Sequence, residues 1–352
     1  MKLPFKGHCQ PWGLFSALLA PTMAHSPTNN PVFKGVKERR KTMPSLTARA
    51  SALPSLRRNT HYGIAFGSIA AIIWGAFLAV SRHGIGAGLQ ASDLAFIRYA
   101  VAGAILLPWV LTNSPRTLAG IGWRRGIVLS LLAGPLFVLI GASGYLYAPL
   151  AHGAVIQLGV LTLMSVCLAA LLLREPLKAS RILGLGVIIA GLVTIAGPGL
   201  LEGQSLAWKG DLLFAMAGSM FAVFTLLVRR WKLNAFATTA VVSVLSGAIY
   251  SPLYLALAGT QRLSVTPIAM LIEQGVVQGL LSGIVALFTF ARAVQYLGAG
   301  RAALFPALAP AIAILLGVPL VGELPTIAQW CGLAICTLGL LIALRSGAAQ
   351  AR

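Results

Sequence analysis

Residues 155–191 read VIQLGVLTLMSVCLAALLLREPLKASRILGLGVIIAG. The first 19 of them, 155–173, carry no charge. A helix rises about 1.5 Å per residue, so a run of this length crosses most of a hydrocarbon layer about 30 Å thick. Arg174-Glu175-Pro176 then interrupts the run. The residue before a proline is pushed out of helical geometry, so one helix ends there and another begins. Glu175 is placed to sit near the N-terminus of that next helix, where a negative charge is favoured. Gly184 and Gly191 lie seven residues apart within it. Small residues at such spacing let a neighbouring membrane helix come close.

The same pattern occurs a second time. Glu175 is followed by Gly184 and Gly191 after nine and sixteen residues, and Glu323 by Gly332 and Gly339 at the same two distances. A tyrosine precedes each Glu, Tyr147 by 28 residues and Tyr296 by 27. Farther back, Trp74 precedes Glu175 by 101 residues and Phe221 precedes Glu323 by 102. Several spacings sharing one offset near 148 indicate an internal duplication. Residues 62–198 and 208–345 are the two copies.

Composition agrees with a bilayer setting. Of 352 residues, 58% are hydrophobic and 10% charged, whereas soluble proteins carry about 25% charged residues. Ten apolar spans are expected, centred near residues 72, 103, 137, 162, 189, 218, 246, 285, 310 and 336. The fold class expected is all-α integral membrane, ten transmembrane helices in two five-helix halves. An odd number of spans per half sends the second copy through the bilayer upside down, so the repeats are expected to be inverted.

The net charge of +20 comes from 27 Lys and Arg against 7 Asp and Glu. Topology accounts for it without nucleic acid. Ten of the basic residues lie in the first 60, and with that N-terminus inside, 13 others fall in cytoplasmic loops or at the C-terminus. Arg82, Lys209 and Arg262 fall outside, and Arg98 just within a span. This is the positive-inside bias. It predicts an inner (plasma) membrane protein of bacterial type with both termini cytoplasmic. Residues 1–60, rich in Pro, Ser, Thr and basic side chains, read as a basic, disordered tail or as sequence ahead of a later true start such as Met43. Cys9, Cys167, Cys331 and Cys336 make no CxxC pair, and no metal-ligand cluster or cofactor motif is present.

The order of these motifs resembles the drug/metabolite transporter superfamily, in particular its EamA-type members. Trp74-Gly75 and Arg98 match its first and second spans. Tyr147-Ala148-Pro149 through Leu173-Arg174-Glu175-Pro176 match its fourth, and Tyr296-Leu297-Gly298 through Val321-Gly322-Glu323 its ninth. Gly210-Asp211-Leu212-Leu213 and Arg229-Arg230 match its sixth. Arg174 before Glu175, Leu324 between Glu323 and Pro325, and His152 depart from the pattern. The resemblance implies a ten-helix secondary carrier, mostly exporting amino acids, other metabolites or drugs. An importer or exchanger for sugars or nucleotide-linked substrates, or a non-transporting membrane scaffold, are the alternatives. No nucleophile–base pair supports an enzyme.

Polar groups inside spans are costly and call for a functional reading. Arg98 stands first: it either binds a substrate carboxylate, snorkels outward, or pairs with Asp93. Gln157, Gln278 and Gln295 either line a polar cavity or bond between helices. Trp74, Tyr145, Tyr147, Phe221 and Tyr296 either line that cavity or, for the tyrosines, sit in an interfacial belt. Glu175, Gly184, Gly191, Glu323, Gly332 and Gly339 are read as structural. The partners expected are the bilayer and a small-molecule substrate, with a homodimer left open.

Overall fold

The computed structural model describes residues 46–173, 179–201, 206–298, 302 and 304–348. The chain divides into Met1–Arg49 and a much larger unit, Ala50–Arg352, which carries the bundle. All regular structure among the described residues is helical. The principal helices are α1 (Leu46–Gly86), α2 (Ala91–Thr112), α3 (Trp123–Gly144), α4 (Leu150–Leu173), α5 (Ala179–Leu201), α6 (Ala207–Arg230), α7 (Ala235–Leu257), α8 (Ile268–Leu297), α9 (Ala309–Val321) and α10 (Ile327–Ala348). Each expected span centre falls within one of them.

Seven of these, α1 over Thr60–Gly86, α2, α3, α4, α6, α7 and α8, are long and apolar enough to cross a membrane. α5, α9 and α10 carry shorter apolar stretches among the described residues. The bundle turns large apolar side chains outward as well as inward. Leu171, Val193, Leu257, Leu315 and Leu338 are all exposed. Helices apolar all round need hydrocarbon rather than water outside them. α1 starts at Leu46, inside the segment read as a disordered tail; its opening residues, LTARASAL, are mostly good helix formers. The rest of that tail lies outside the described residues, as does Glu175.

Two crossings organise the bundle, and glycine makes both possible. α5 packs along α10. A Cβ added to Gly191 would lie 3.0 Å from the Gly332 carbonyl oxygen, and one added to Gly339 would lie 2.8 Å from the Gly184 carbonyl oxygen. Midway, the Cys336 thiol lies 3.5 Å from the carbonyl oxygen of Ile188. Gly191 meets Gly332 while Gly184 meets Gly339, so the two helices run antiparallel. Ile188 and Cys336 are 148 residues apart, the offset of the sequence repeat.

α2 crosses α7 in the same way. A Cβ on Gly103 would lie 2.9 Å from the Ser243 oxygen, and one on Gly247 would lie 2.6 Å from the Tyr99 oxygen. Gly103 and Gly247 are 144 residues apart, as are Tyr99 and Ser243 and the internal prolines Pro108 and Pro252. Equivalent residues of the two copies thus meet across both crossings.

Helix breaks have local causes. α3 is interrupted at Gly134, where Pro135 begins a second segment. The Ala133 carbonyl freed by the break accepts from the Tyr99 hydroxyl at 2.7 Å, which satisfies a backbone group that lipid could not. Pro306 and Pro310 likewise stand at the starts of helical segments. Within α8, residues Gly275–Val285 are wound as a π-helix, a rare form found mostly at functional sites.

Candidate substrate cavity

The interior of the bundle holds a small cavity between α1, α3 and α4. Phe77, Ser81, Phe137, Gly141, Tyr145 and Gln157 are among its lining residues. Its volume is about 20 Å³, room for a water molecule but not for a metabolite.

Around this cavity a polar cluster has formed inside an apolar protein. The Gln278 side chain is fully buried; its amide NH₂ donates to the Ser81 hydroxyl at 2.9 Å and to Gln274 Oε1 at 3.2 Å. Gln274 in turn donates to the Val80 carbonyl oxygen at 2.9 Å. The Gln278 carbonyl oxygen has no hydrogen-bond partner. Arg98 of α2 donates to the Ser282 hydroxyl at 3.1 Å, and its guanidinium lies 4.8 Å from the Phe77 ring centroid. Gln278 and Ser282 are four residues apart on the π-wound stretch, so both reach the same side of α8. Across the cavity, the Tyr145 hydroxyl is buried without a partner. Burial pushes the Tyr145 phenol up, with Arg82 opposing and Glu323 adding to the shift. It stays a neutral hydroxyl able to donate.

One end of the bundle is tied by ion pairs. Arg82, at the end of α1, holds Glu323 at 2.6 Å and also donates to the Tyr145 carbonyl oxygen at 3.2 Å. The second oxygen of Glu323 accepts from the Leu150 N–H at 2.8 Å. His83 meets Glu273 at 3.0 Å, and His152 meets Asp211 at 2.8 Å. Asp93, with no exposed surface, accepts from Arg262 at 2.9 and 3.0 Å and from the Tyr254 hydroxyl at 2.6 Å. Asp93, Asp211, Glu273 and Glu323 are all the acidic residues among the described ones. Each is paired, and each pair joins different segments of the bundle.

The family model for the EamA-like transporter family matches residues 61–197 and again residues 208–345. The chain belongs to the EamA-like transporter family. The family model thus matches two repeats across the chain. A solved crystal structure of a protein is similar in fold, with a TM-score of 0.53 and 19% identity, covering 80% of this chain and 96% of that one. At that identity the likeness concerns the fold alone. No curated protein matches the chain.

Within this EamA-like bundle the expected site residues divide into two groups. Tyr145 and Gln157 line the cavity; Gln278 and Arg98 join it through Ser81 and Phe77. Phe221 packs 5.4 Å from Phe137, on the cavity's apolar wall. Trp74 sits farther off, 5.2 Å from Phe290 between α1 and α8. Tyr147 is exposed. Tyr296 stacks on Phe66 at 6.0 Å, and Gln295 is exposed and accepts from Arg292 at 3.4 Å; neither reaches the cavity.

Two local readings of the sequence are corrected. Arg98 does not pair with Asp93, because Arg262 and Tyr254 have taken that carboxylate. Glu323 does not cap the helix that follows it. It caps α4, a helix of the other copy, while the start of α10 is capped by Thr326 and Gln329, each side chain bonding the other's N–H.

The residues missed were Ser81, Ser282, Gln274, Phe77 and the two histidine pairs. A signal existed for some of them. Gln274, Gln278 and Ser282 recur every four residues in an apolar helix, and His152 departs from the family pattern.

Proposed function

We propose that the protein is a secondary active transporter, an exporter of small metabolites, amino acids or drugs, working by alternating access. The reading includes ten membrane spans arranged as two inverted five-helix repeats. The observation that carries it is the pair of antiparallel crossings at which a residue meets its own repeat equivalent, such as Ile188 against Cys336. A two-fold axis lying in the membrane plane produces that contact, and exchanging the conformations of the two halves about it opens one central site to alternate sides. α5 and α10, with 23 and 22 residues, are about 33–35 Å long and suffice to span.

The positive-inside bias of the basic loops supports an orientation with the ion-paired end outside and both termini in the cytoplasm of a bacterial inner membrane. On this reading the small cavity, the two arginine–carboxylate pairs and the two histidine–carboxylate contacts belong to a state closed to the exterior. Export is the direction most members of the family take.

Purified protein in proteoliposomes tests the reading. A panel of amino acids, organic acids and cationic drugs is offered with an imposed proton or sodium gradient, alongside a resistance screen comparing deletion with overexpression. Gradient-driven flux of at least one compound is expected. Absence of flux and of binding across the panel, with folded protein in the vesicles, would overturn it.

A further inference from the structure

We propose that Arg98 anchors a carboxylate of the transported molecule, so that the cargo is a small organic acid with an apolar body. The inference rests on the transporter reading and names the ligand chemistry of the same cavity.

The argument begins with charge. A guanidinium stays protonated at any working pH, and inside a membrane protein such a charge pairs, faces the bundle interior or a water-filled cavity, or snorkels; Arg98, half-buried, turns inward to Ser282 and Phe77. Every acidic residue among the described ones is occupied elsewhere: Asp93 by Arg262, Asp211 by His152, Glu273 by His83 and Glu323 by Arg82. Arg98 is left with one neutral hydroxyl, Ser282, and the faces of Phe77 and Tyr99 at 4.8 and 5.7 Å. These contacts orient the guanidinium and take up only part of its fork of N–H donors. The planar fork matches a carboxylate in bidentate fashion.

The surroundings suit the rest of such a molecule. Phe77, which lies under the guanidinium, also lines the cavity with Phe137 and Val138, an apolar bed for a hydrocarbon or aromatic body. Among the described residues four buried side-chain polar atoms have no partner, and two of them lie here, the Tyr145 hydroxyl and the Gln278 carbonyl oxygen. Gln278 reaches the cavity lining through Ser81. The π-wound turn of α8 presents Gln278 and Ser282 on one side, so acceptor and anchor stand together. A fixed cation, an apolar bed and the Tyr145 hydroxyl as a spare donor are complementary to a carboxylate, and the spare Gln278 oxygen, an acceptor, suits an N–H donor on the same molecule such as the ammonium of an amino acid.

The test uses full-length protein in nanodiscs with four probes: phenylacetate, L-phenylalanine, phenethylamine and phenylacetamide. They share a ring and differ in charge. Binding is read by calorimetry, and exchange by counterflow of labelled probe in proteoliposomes. Phenylacetate or L-phenylalanine is expected to bind, and the amine and the amide are not. The two carboxylates also separate a simple acid from an amino acid as the cargo. Arg98→Gln should weaken carboxylate binding roughly tenfold to hundredfold, the range of a lost charged hydrogen-bond pair. Arg98→Lys should lose less, and Ser282→Ala a few-fold. Unliganded thermal unfolding and size-exclusion profiles of all three variants control for folding.

Binding of phenethylamine by wild type and Arg98→Gln alike would overturn the anchor while leaving a transporter. Failure of both carboxylates to bind wild type would overturn the anchor as well. Failure of every probe and of the whole flux panel would remove both readings.

Discussion

Gly191→Ala isolates the close approach of α5 and α10. The new Cβ would lie 2.5 Å from Cys336 Sγ, 2.8 Å from Cys336 N and 3.0 Å from the Gly332 oxygen. Ordinary van der Waals contact begins near 3.4 Å. The thiol can rotate, but the two backbone atoms cannot, so the helices must part by about 0.6 Å at the crossing (3.4 less 2.8). Forcing a methyl group into a packed interface costs about 1–3 kcal/mol. Gly186→Ala is the control: it lies on the same helix, and a Cβ there meets nothing within 4 Å. It should be neutral, or slightly stabilising through helix propensity. Gly332→Ala, on the opposite helix, clashes with the Gly191 oxygen at 2.9 Å and should cost about as much as Gly191→Ala. Because one separation relieves both clashes, the double variant should lose less than the sum of the singles. Unfolding in mixed micelles, followed by loss of helical signal as sodium dodecyl sulfate rises, measures all four. If Gly191→Ala unfolds at the same detergent fraction as Gly186→Ala, the tight crossing is wrong.

Asp93→Ala should be the most damaging single change at the ion-paired end. It strands Arg262 and the Tyr254 hydroxyl around a site with no exposure, a loss of about 3–5 kcal/mol; low yield of folded protein on size exclusion checks it. Arg82→Gln and Glu323→Gln should each destabilise, and a double-mutant cycle on thermal unfolding should return a coupling of about 1 kcal/mol for this partly exposed pair; additivity would rule the contact out. Tyr145→Phe removes a hydroxyl that bonds nothing within the protein, so stability should hold or rise slightly. Transport of the protein's substrate should fall if that hydroxyl meets it, and unchanged transport would take Tyr145 out of the site.

The fold was legible in the sequence because hydrocarbon imposes it. Long uncharged runs such as 155–173 admit little besides helices, and the Glu–Gly–Gly spacing revealed that the chain holds two copies, as the family match also does. The site was legible only in part. Polar residues in apolar runs stand out, which found Arg98, Gln157 and Gln278. Which way each side chain turns depends on helix rotation and on local winding. Gln295 and Tyr296 lie 13 and 14 residues beyond Ser282, toward the other end of α8, and do not reach the cavity. Ion pairing was the least legible. Asp93 finds its partner 169 residues away, and Glu323 caps a helix 173 residues before it. Short-range rules favour the neighbour in sequence, so they offered Asp93 as one possible partner of Arg98 and placed Glu323 at α10.

These long-range pairs bear on how a closed bundle reopens. Sealing one end of a carrier with interlocking apolar side chains would make opening costly, since every square ångström returned to water costs about 25 cal/mol. Ion pairs behave differently. Arg82 and Glu323 keep 22% and 25% of their side-chain surface exposed while paired. When they part, water solvates both charges, and the net cost of separating such a pair is about 0–1 kcal/mol. His83 with Glu273, at 30% and 26%, is similar. Asp93 is not, being wholly buried, so α2, the end of α7 and the Arg262 segment should stay together as one body. The same reasoning keeps α4 with α6 through His152 and Asp211, at 8% and 13%. The partly exposed contacts of α1 through Arg82 and His83 are the easier ones to part at this end, whereas the buried bonds from Gln274 to Val80 and from Gln278 to Ser81 hold α1 against α8.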